Sequence, residues 1–260
     1  MLTRLTELFK YRELVRNLVI RDLKVRYKSS FLGFVWSLLN PLLMMLVFTV
    51  VFTVMMPNKS IEKFPVFLLT AILPWNWCAA SINGGIGSIV GNANLIKKVY
   101  FPREILPASV VLSNMVNYLL ALIVLFAMLL AFGVEIQPMF AFLPILIFIQ
   151  MIFLLGLAFF VSALNVSFRD TEVITEVGIM AWFFLTPVFY DIHDLFPQYE
   201  RLMYILNPMA SFISTYRLVL LQGAGPEPYF LLRTLATSLI VFALGYAFFI
   251  RQSRLFGEEL

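Results

Sequence analysis

Four residues stand close enough together to suggest metal or acid–base chemistry: Asp191, His193, Asp194 and Glu200. Carboxylates beside an imidazole can hold a divalent cation or relay a proton, and a membrane glycosyltransferase would group its carboxylates at the membrane surface in this way. A polar loop beside a membrane is the commoner meaning of such a cluster. His193 is the only histidine and Cys78 the only cysteine, so the sequence holds no histidine cluster, no cysteine metal site and no disulfide within the chain. The second stretch with chemical potential is glycine-rich, NGGIGSIVGN from Asn83 to Asn92. It lacks the lysine of a phosphate-cradling loop, and G-x-x-x-x-G-K-[ST] occurs nowhere in the sequence. Its Gly87-x-x-x-Gly91 spacing fits a close helix contact better. If the chain moves something uphill, another chain must power it.

The elements that carry these residues are set by composition. Of 260 residues, 61% are hydrophobic and 13% charged, with a mean hydropathy of +0.91. Soluble domains carry about 25% charged residues, and a single soluble core of this length could not hide so much apolar surface. The chain is predicted to be an all-α integral membrane protein. The net charge of +4 would suggest nucleic acid only if the basic residues formed one face. They do not, and no nucleic-acid partner is expected.

Uncharged runs cover residues 29–58, 64–96, 105–134, 136–168 and 234–250, and a further run over 173–190 is interrupted only by Glu176. A spanning helix needs about 20 apolar residues, so six spans are predicted within a transmembrane domain of residues 29–250. The first apolar run begins at Phe31, behind a charged stretch, and is expected to remain as its own anchor. Residues 202–222 are apolar but contain Asn207-Pro208 and Arg217. Two short helices meeting at Pro208 are expected there, dipping into the outer leaflet and returning. With six spans, one side of the membrane carries 14 of the 19 Lys and Arg, which predicts that both termini are cytoplasmic. The tail is residues 251–260.

Residues 1–28 alternate apolar positions (Leu5, Leu8, Phe9, Tyr11, Leu14, Val15, Leu18, Val19) with charged ones at helical spacing. They predict an amphipathic helix on the inner membrane surface, basic side toward headgroups or a partner. The stretch RDLKVRYKSSFLGFVWSLLNPLL, Arg21 to Leu43, then reads as the hinge between that helix and span one. The basic loop NANLIKKVYFPREILP, Asn92 to Pro107, mixes Lys97, Lys98 and Arg103 with Ile96, Tyr100 and Phe101, and carries a helix-stopping Pro102. It is either an ordinary loop held by headgroups or a short helix that docks on a cytoplasmic partner. Within the spans, apart from Glu176 near one end, polarity comes from uncharged groups: Asn40, Thr49, Asn76, Ser81, Asn83, Asn114, Asn117, Gln150 and Asn165. These serve helix–helix hydrogen bonding or line a path for a polar cargo. Proton relays and ion-coupled sites need ionisable groups at mid-membrane, and none is obvious. Trp75 and Trp77, and a second cluster of Trp182, Phe183, Phe184, Phe189 and Tyr190, are either interface filler or faces on which sugar rings stack.

The sequence resembles the membrane subunits of ABC exporters for lipid-linked polysaccharides, the O-antigen, capsule and teichoic-acid export permeases. The resemblance runs nearly end to end. It rests on RDLKVRYKSSFLGFVWSLLNPL, NANLIKKVYFPREILP, LNVSFRD, LTPVFY, NPMASFISTYR and the Arg251-x-x-x-x-Phe256 spacing together. It implies a homodimer that forms the channel in a bacterial cytoplasmic (inner) membrane, with two separate P-loop ATPase subunits below. ATP and Mg would be bound by those subunits and no cofactor by this chain. Loop 92–107 would be the coupling element, through Asn94, Leu95, Ile96, Lys97, Lys98, Phe101, Pro102 and Arg103. Segment 193–225 would be an outer gate hairpin, hinged at Asn207 and Pro208. Spans one and five would line the path, with Trp182, Phe184, Phe189 and Tyr190 as candidates for an aromatic belt. Arg26 and Lys28 would attract the lipid pyrophosphate at the cytoplasmic side, although positive-inside anchoring explains them equally well. The expected cargo is undecaprenyl-linked polysaccharide. The alternatives are export of a drug or small lipid, and a membrane scaffold without transport.

Overall fold

The computed structural model describes residues 11–28, 33–51, 63–195 and 197–259. Leu5, Leu8 and Phe9 of the N-terminal segment, the end of the first apolar run and the side chain of Asp194 lie outside the described residues. The described chain is helical. Helix α1 (Arg12–Tyr27) is followed, through one 3₁₀ turn, by α2 (Trp36–Val50). Next come α3 (Phe64–Ile86), the short α4 (Ala93–Lys98) and α5 (Ile105–Ala131). A 3₁₀ stretch over Pro138–Phe142 runs into α6 (Leu143–Ser167), and α7 (Thr171–Leu185) follows. The chain closes with α8 (Ile192–Leu195), α9 (Glu200–Leu206), α10 (Pro208–Leu220), α11 (Pro228–Gln252) and α12 (Phe256–Glu259).

Four of the six predicted spans are helices long and apolar enough to cross a membrane: Phe64–Ile86, Ile105–Ala131, Pro138–Ser167 and Pro228–Gln252. In the other two, α2 and α7, 15 residues are helical. At about 1.5 Å per residue α7 covers about 22 Å, less than the ~30 Å hydrocarbon core. Helix α2 follows a 3₁₀ turn over Gly33–Val35 and runs to Val50 within its described segment. Helix α7 stops because Pro187 disfavours helical backbone at Thr186, which is extended at φ −98°, ψ 136°.

Helix α3 is the hub. In its most apolar window 83% of residues are buried within the chain, against 22% for α11, so α3 is enclosed by its neighbours while α11 faces outward. Polar side chains fasten α3 to its surroundings. Gln150 Nε2 donates to the Pro74 carbonyl at 2.9 Å, Trp77 Nε1 to the Val111 carbonyl at 3.3 Å, and Asn165 Nδ2 to the Ile86 carbonyl at 3.1 Å. The last caps a carbonyl at the helix end, where no intrahelical donor remains.

The close glycine contact does not fall where the sequence spacing placed it. A Cβ added at Gly87 or Gly91 would meet nothing within 4 Å, because Gly87 ends α3 and Gly91 sits in the following 3₁₀ turn. The intimate crossing is instead between α6 and α11. There a Cβ on Gly156 would stand 2.6 Å from the Phe242 backbone, and one on Gly245 would strike the Gly156 carbonyl. Gly85 of α3 likewise abuts α6, where an added Cβ would stand 3.1 Å from that of Ala158.

Candidate functional site

At the end of the bundle that holds α1 and the tail, a second apolar cluster ties distant segments into one body. Leu18 brings in α1, Phe101 the loop after α4, and Phe256 the tail, all buried against Phe159 and Phe249. Polar contacts reinforce it. Arg21 Nη1 donates to Asn92 Oδ1 at 3.1 Å, and Ser167 Oγ to Glu259 Oε2 at 2.9 Å. Arg103 donates to the Ser253 carbonyl and lies 5.8 Å from the Phe256 ring. On this frame Leu95 and Ile96 of α4 pack inward, while Asn94, Lys97 and Lys98 are exposed. Backbone at Val99 becomes extended, and Tyr100 projects with 96% of its surface free. Pro102 and Arg103 are half-buried, where the chain turns into α5. The predicted coupling residues thus divide into anchors (Leu95, Ile96, Phe101, Pro102, Arg103) and an outward ledge (Asn94, Lys97, Lys98), to which the exposed Tyr100 adds. The amphipathic face of α1 meets protein here: Leu18 is buried, and Tyr11, Leu14 and Val15 pack beside it.

The four aromatic-belt candidates do not share a surface. Trp182 faces inward, edge-on to Trp75 at 5.6 Å and to Phe153 at 6.4 Å. Phe189 packs 5.4 Å from Phe48 and 5.1 Å from Phe183. Tyr190 is half-buried, its hydroxyl donating to the Leu185 carbonyl at 3.4 Å. Phe184 alone of the four is exposed, on the side of α7 that its own chain leaves uncovered, with Val177 and Met180. Glu176 is exposed as well, six positions into the helix.

The two candidates for a lipid pyrophosphate also separate. Arg26 lies at a cavity of about 300 Å³ between α2, α3 and α5, whose lining includes Asn40, Asn76, Asn114, Asn117 and Tyr118. Asn114 donates to the Val110 carbonyl at 3.0 Å, and its own Oδ1 is buried without a partner. Lys28 lies instead along a shallow groove on α1 with Ile20, Arg21 and Lys24. Four asparagines spread over three apolar runs converge here, which their sequence positions do not signal.

At the opposite end, Asn207 is a junction. Its Oδ1 accepts from the Trp182 indole at 2.8 Å and from the Ala210 amide at 3.3 Å, which caps α10. Its Nδ2 donates to the Leu185 carbonyl at 3.1 Å and to Thr186 Oγ1 at 3.0 Å. Pro208 takes the first position of α10, where its missing N–H costs nothing. The hinge residues therefore bind α7 to the hairpin. Arg217, which sequence reasoning passed over as a break in an apolar run, is buried. Its guanidinium donates to the Tyr190 carbonyl at 3.1 Å and the Val188 carbonyl at 2.7 Å, and lies 3.5 Å from the Phe67 ring centre. An arginine guanidinium stays cationic at neutral pH even where it is buried. In the acidic cluster, Asp191 Oδ1 accepts the His193 amide at 2.9 Å, and the His193 ring lies 3.4 Å from Glu200 Oε2. Among the described residues no three His, Cys, Asp or Glu side chains converge as a metal site.

Residues 13–221 match the family model described as ABC-2 type transporter. The O-antigen export system permease protein RfbA of Myxococcus xanthus is 36% identical over 255 residues, 98% of both chains. The protein of the same name from Klebsiella pneumoniae is 35% identical over 243 residues, 92% of each. The polysialic acid transport protein KpsM of Escherichia coli is 22% identical over 238 residues, 88% of this chain and 91% of that one.

Proposed function

This chain belongs to the ABC-2 type transporter family, and from that premise we propose that it is the channel-forming membrane subunit of an ATP-driven exporter of undecaprenyl-linked, O-antigen-like polysaccharide. Its relatives, permeases for O-antigen export and a polysialic acid transport protein, supply the cargo class. The observation on this chain that carries the reading is Glu176. A carboxylate exposed about 7 Å along α7, beyond which the helix is apolar to Leu185, is costly against lipid, so that face of α7 belongs to a water-filled path. Phe184 stands on the uncovered side of the same helix, where a sugar ring can slide over it without being gripped. One chain cannot enclose such a path, and a second copy completes it.

Direction comes from two partner ATPase subunits, which bind ATP and Mg and dock from the cytoplasm. The ledge of Lys97, Lys98 and Tyr100 is their contact, and the buried anchors behind it transmit movement to α1, α5 and the tail. Both termini are cytoplasmic in the inner membrane. Arg26, beside its asparagine-lined cavity, meets the lipid pyrophosphate, and the hairpin hinged at Asn207-Pro208 gates the outer end.

Deleting the chain in its own host tests this reading. Surface polysaccharide should disappear while lipid-linked polymer accumulates inside, and re-expression should restore export. Unchanged surface polymer would overturn the proposal.

A further inference from the structure

A large cavity at the hairpin end lies outside the proposed path. It measures about 830 Å³ and lies between the α8–α10 hairpin and the start of α11. That volume falls within the range of about 300–1,000 Å³ that small-molecule sites occupy. Asp191, His193 and Glu200 line it and are held to one another as already described. Facing them is an aromatic and basic group. The Arg233 guanidinium lies 4.5 Å from the Phe230 ring centre and 5.8 Å from that of Tyr204, with one N–H donating to Ser211 Oγ at 3.0 Å. The Tyr204 and Phe230 rings stand perpendicular at 5.1 Å, and the Tyr204 hydroxyl is paired with Ser214 at 3.0 Å. Tyr229 also lines the cavity and is 74% exposed.

Two observations point to a ligand. Arg201, Arg217 and Arg233 all line the cavity, yet among the described residues none of them forms an ion pair with a carboxylate, although Asp191, Glu200 and Glu227 line it too. Arg217, 5% exposed, also keeps a buried Nε–H with no acceptor. A cavity that brings guanidinium donors, carboxylate acceptors and aromatic rings together suits a molecule whose polar groups both donate and accept. It must also offer an apolar face to a ring. A pyranose does both: its hydroxyls accept from guanidinium and donate to carboxylate, and its C–H face stacks on an aromatic ring. A phospholipid headgroup would satisfy the arginines and set its phosphate against three carboxylates.

We propose that this cavity is a saccharide-binding subsite that takes one or two sugar units of the polymer as it leaves the path. The proposal rests on the export reading above and adds a site to it. Arg217 links the site to the path, since the side chain that lines the cavity also holds the Val188 and Tyr190 carbonyls just beyond α7. A sugar seated here is therefore felt at the end of the path-lining helix, and the emerging chain is kept from slipping back.

The test uses the intact transporter in lipid nanodiscs, with the host's own surface polysaccharide released by mild acid and trimmed to di- to tetrasaccharides. Saturation-transfer NMR and calorimetric titration should detect binding to the wild type. Tyr229→Ala and Glu227→Gln, both at exposed positions, should each weaken it about fivefold or more while thermal stability stays unchanged. Absent binding, or equal binding by both variants, would overturn the subsite. Saturation by glycerol 3-phosphate in place of the glycan would overturn it in favour of a lipid headgroup. Either failure leaves the export reading to the deletion test, which does not depend on this cavity.

Discussion

Asn207→Ala removes a side chain that joins two elements, and its cost can be worked from four hydrogen bonds. Losing the cap on α10 costs about 1 kcal/mol. The Trp182 indole N–H, packed among Trp75 and Phe153, loses its acceptor, a further ~1–2 kcal/mol. The Leu185 carbonyl keeps a second donor, the Tyr190 hydroxyl at 3.4 Å, so its share is small. The sum is about 2–3 kcal/mol of local stability, or about a 30- to 150-fold rise in hydrogen exchange for amides that open with the hairpin. Mass-spectrometric exchange on nanodisc-embedded protein should show this over Ala210–Ile213, with little change in α5. Asn207→Asp separates the contributions. It keeps the Oδ1 acceptor for the cap and the indole, but it sets an oxygen against Leu185 O and Thr186 Oγ1. Its first turn of α10 should stay protected while the end of α7 loosens. If Asn207→Ala left exchange over Ala210–Ile213 unchanged, the junction would not hold the hairpin and the reasoning would fail.

Other substitutions probe other contacts. Gly156→Val forces α6 and α11 apart and should lower stability by about 1–3 kcal/mol in thermal unfolding. Gly91→Ala, with nothing within 4 Å, should stay within about 0.5 kcal/mol of wild type. Tyr100→Ser combined with Lys97→Glu should leave the melting temperature unchanged but abolish co-purification of the ATPase, because both side chains are exposed. Gln150→Leu gives up one 2.9 Å bond to the Pro74 carbonyl from a side chain whose Oε1 already lacks a partner. It should cost under about 1 kcal/mol, in line with the ~0.6 kcal/mol typical of polar contacts between membrane helices.

The long apolar runs were legible because length and hydropathy alone decide whether a helix can cross a bilayer, and Asn207-Pro208 was legible because proline cannot continue a helix. Counting charges overran at α7, where Pro187 and not a charge ends the helix. Facing was harder. Trp182 and Phe184 are two positions apart, which at 3.6 residues per turn puts them on opposite sides, one in the core and one exposed. The sequence shows both as members of one aromatic cluster. Gly87 and Gly91 carried the familiar spacing, yet the close crossing belongs to Gly156 and Gly245, whose relation exists only once α6 and α11 pack. Arg217 shows the same limit. Its carbonyl partners lie 27 and 29 residues away, so no local pattern could reveal why a charge is tolerated there.

The central claim is that this chain forms a polysaccharide path powered by a separate ATPase. Purification of the solubilised chain from its own host, with mass spectrometry of what accompanies it, tests that claim most directly. A P-loop ATPase in equal amount and a co-purifying lipid-linked glycan are expected. The chain recovered alone, or with glycosyltransferases only, would contradict it.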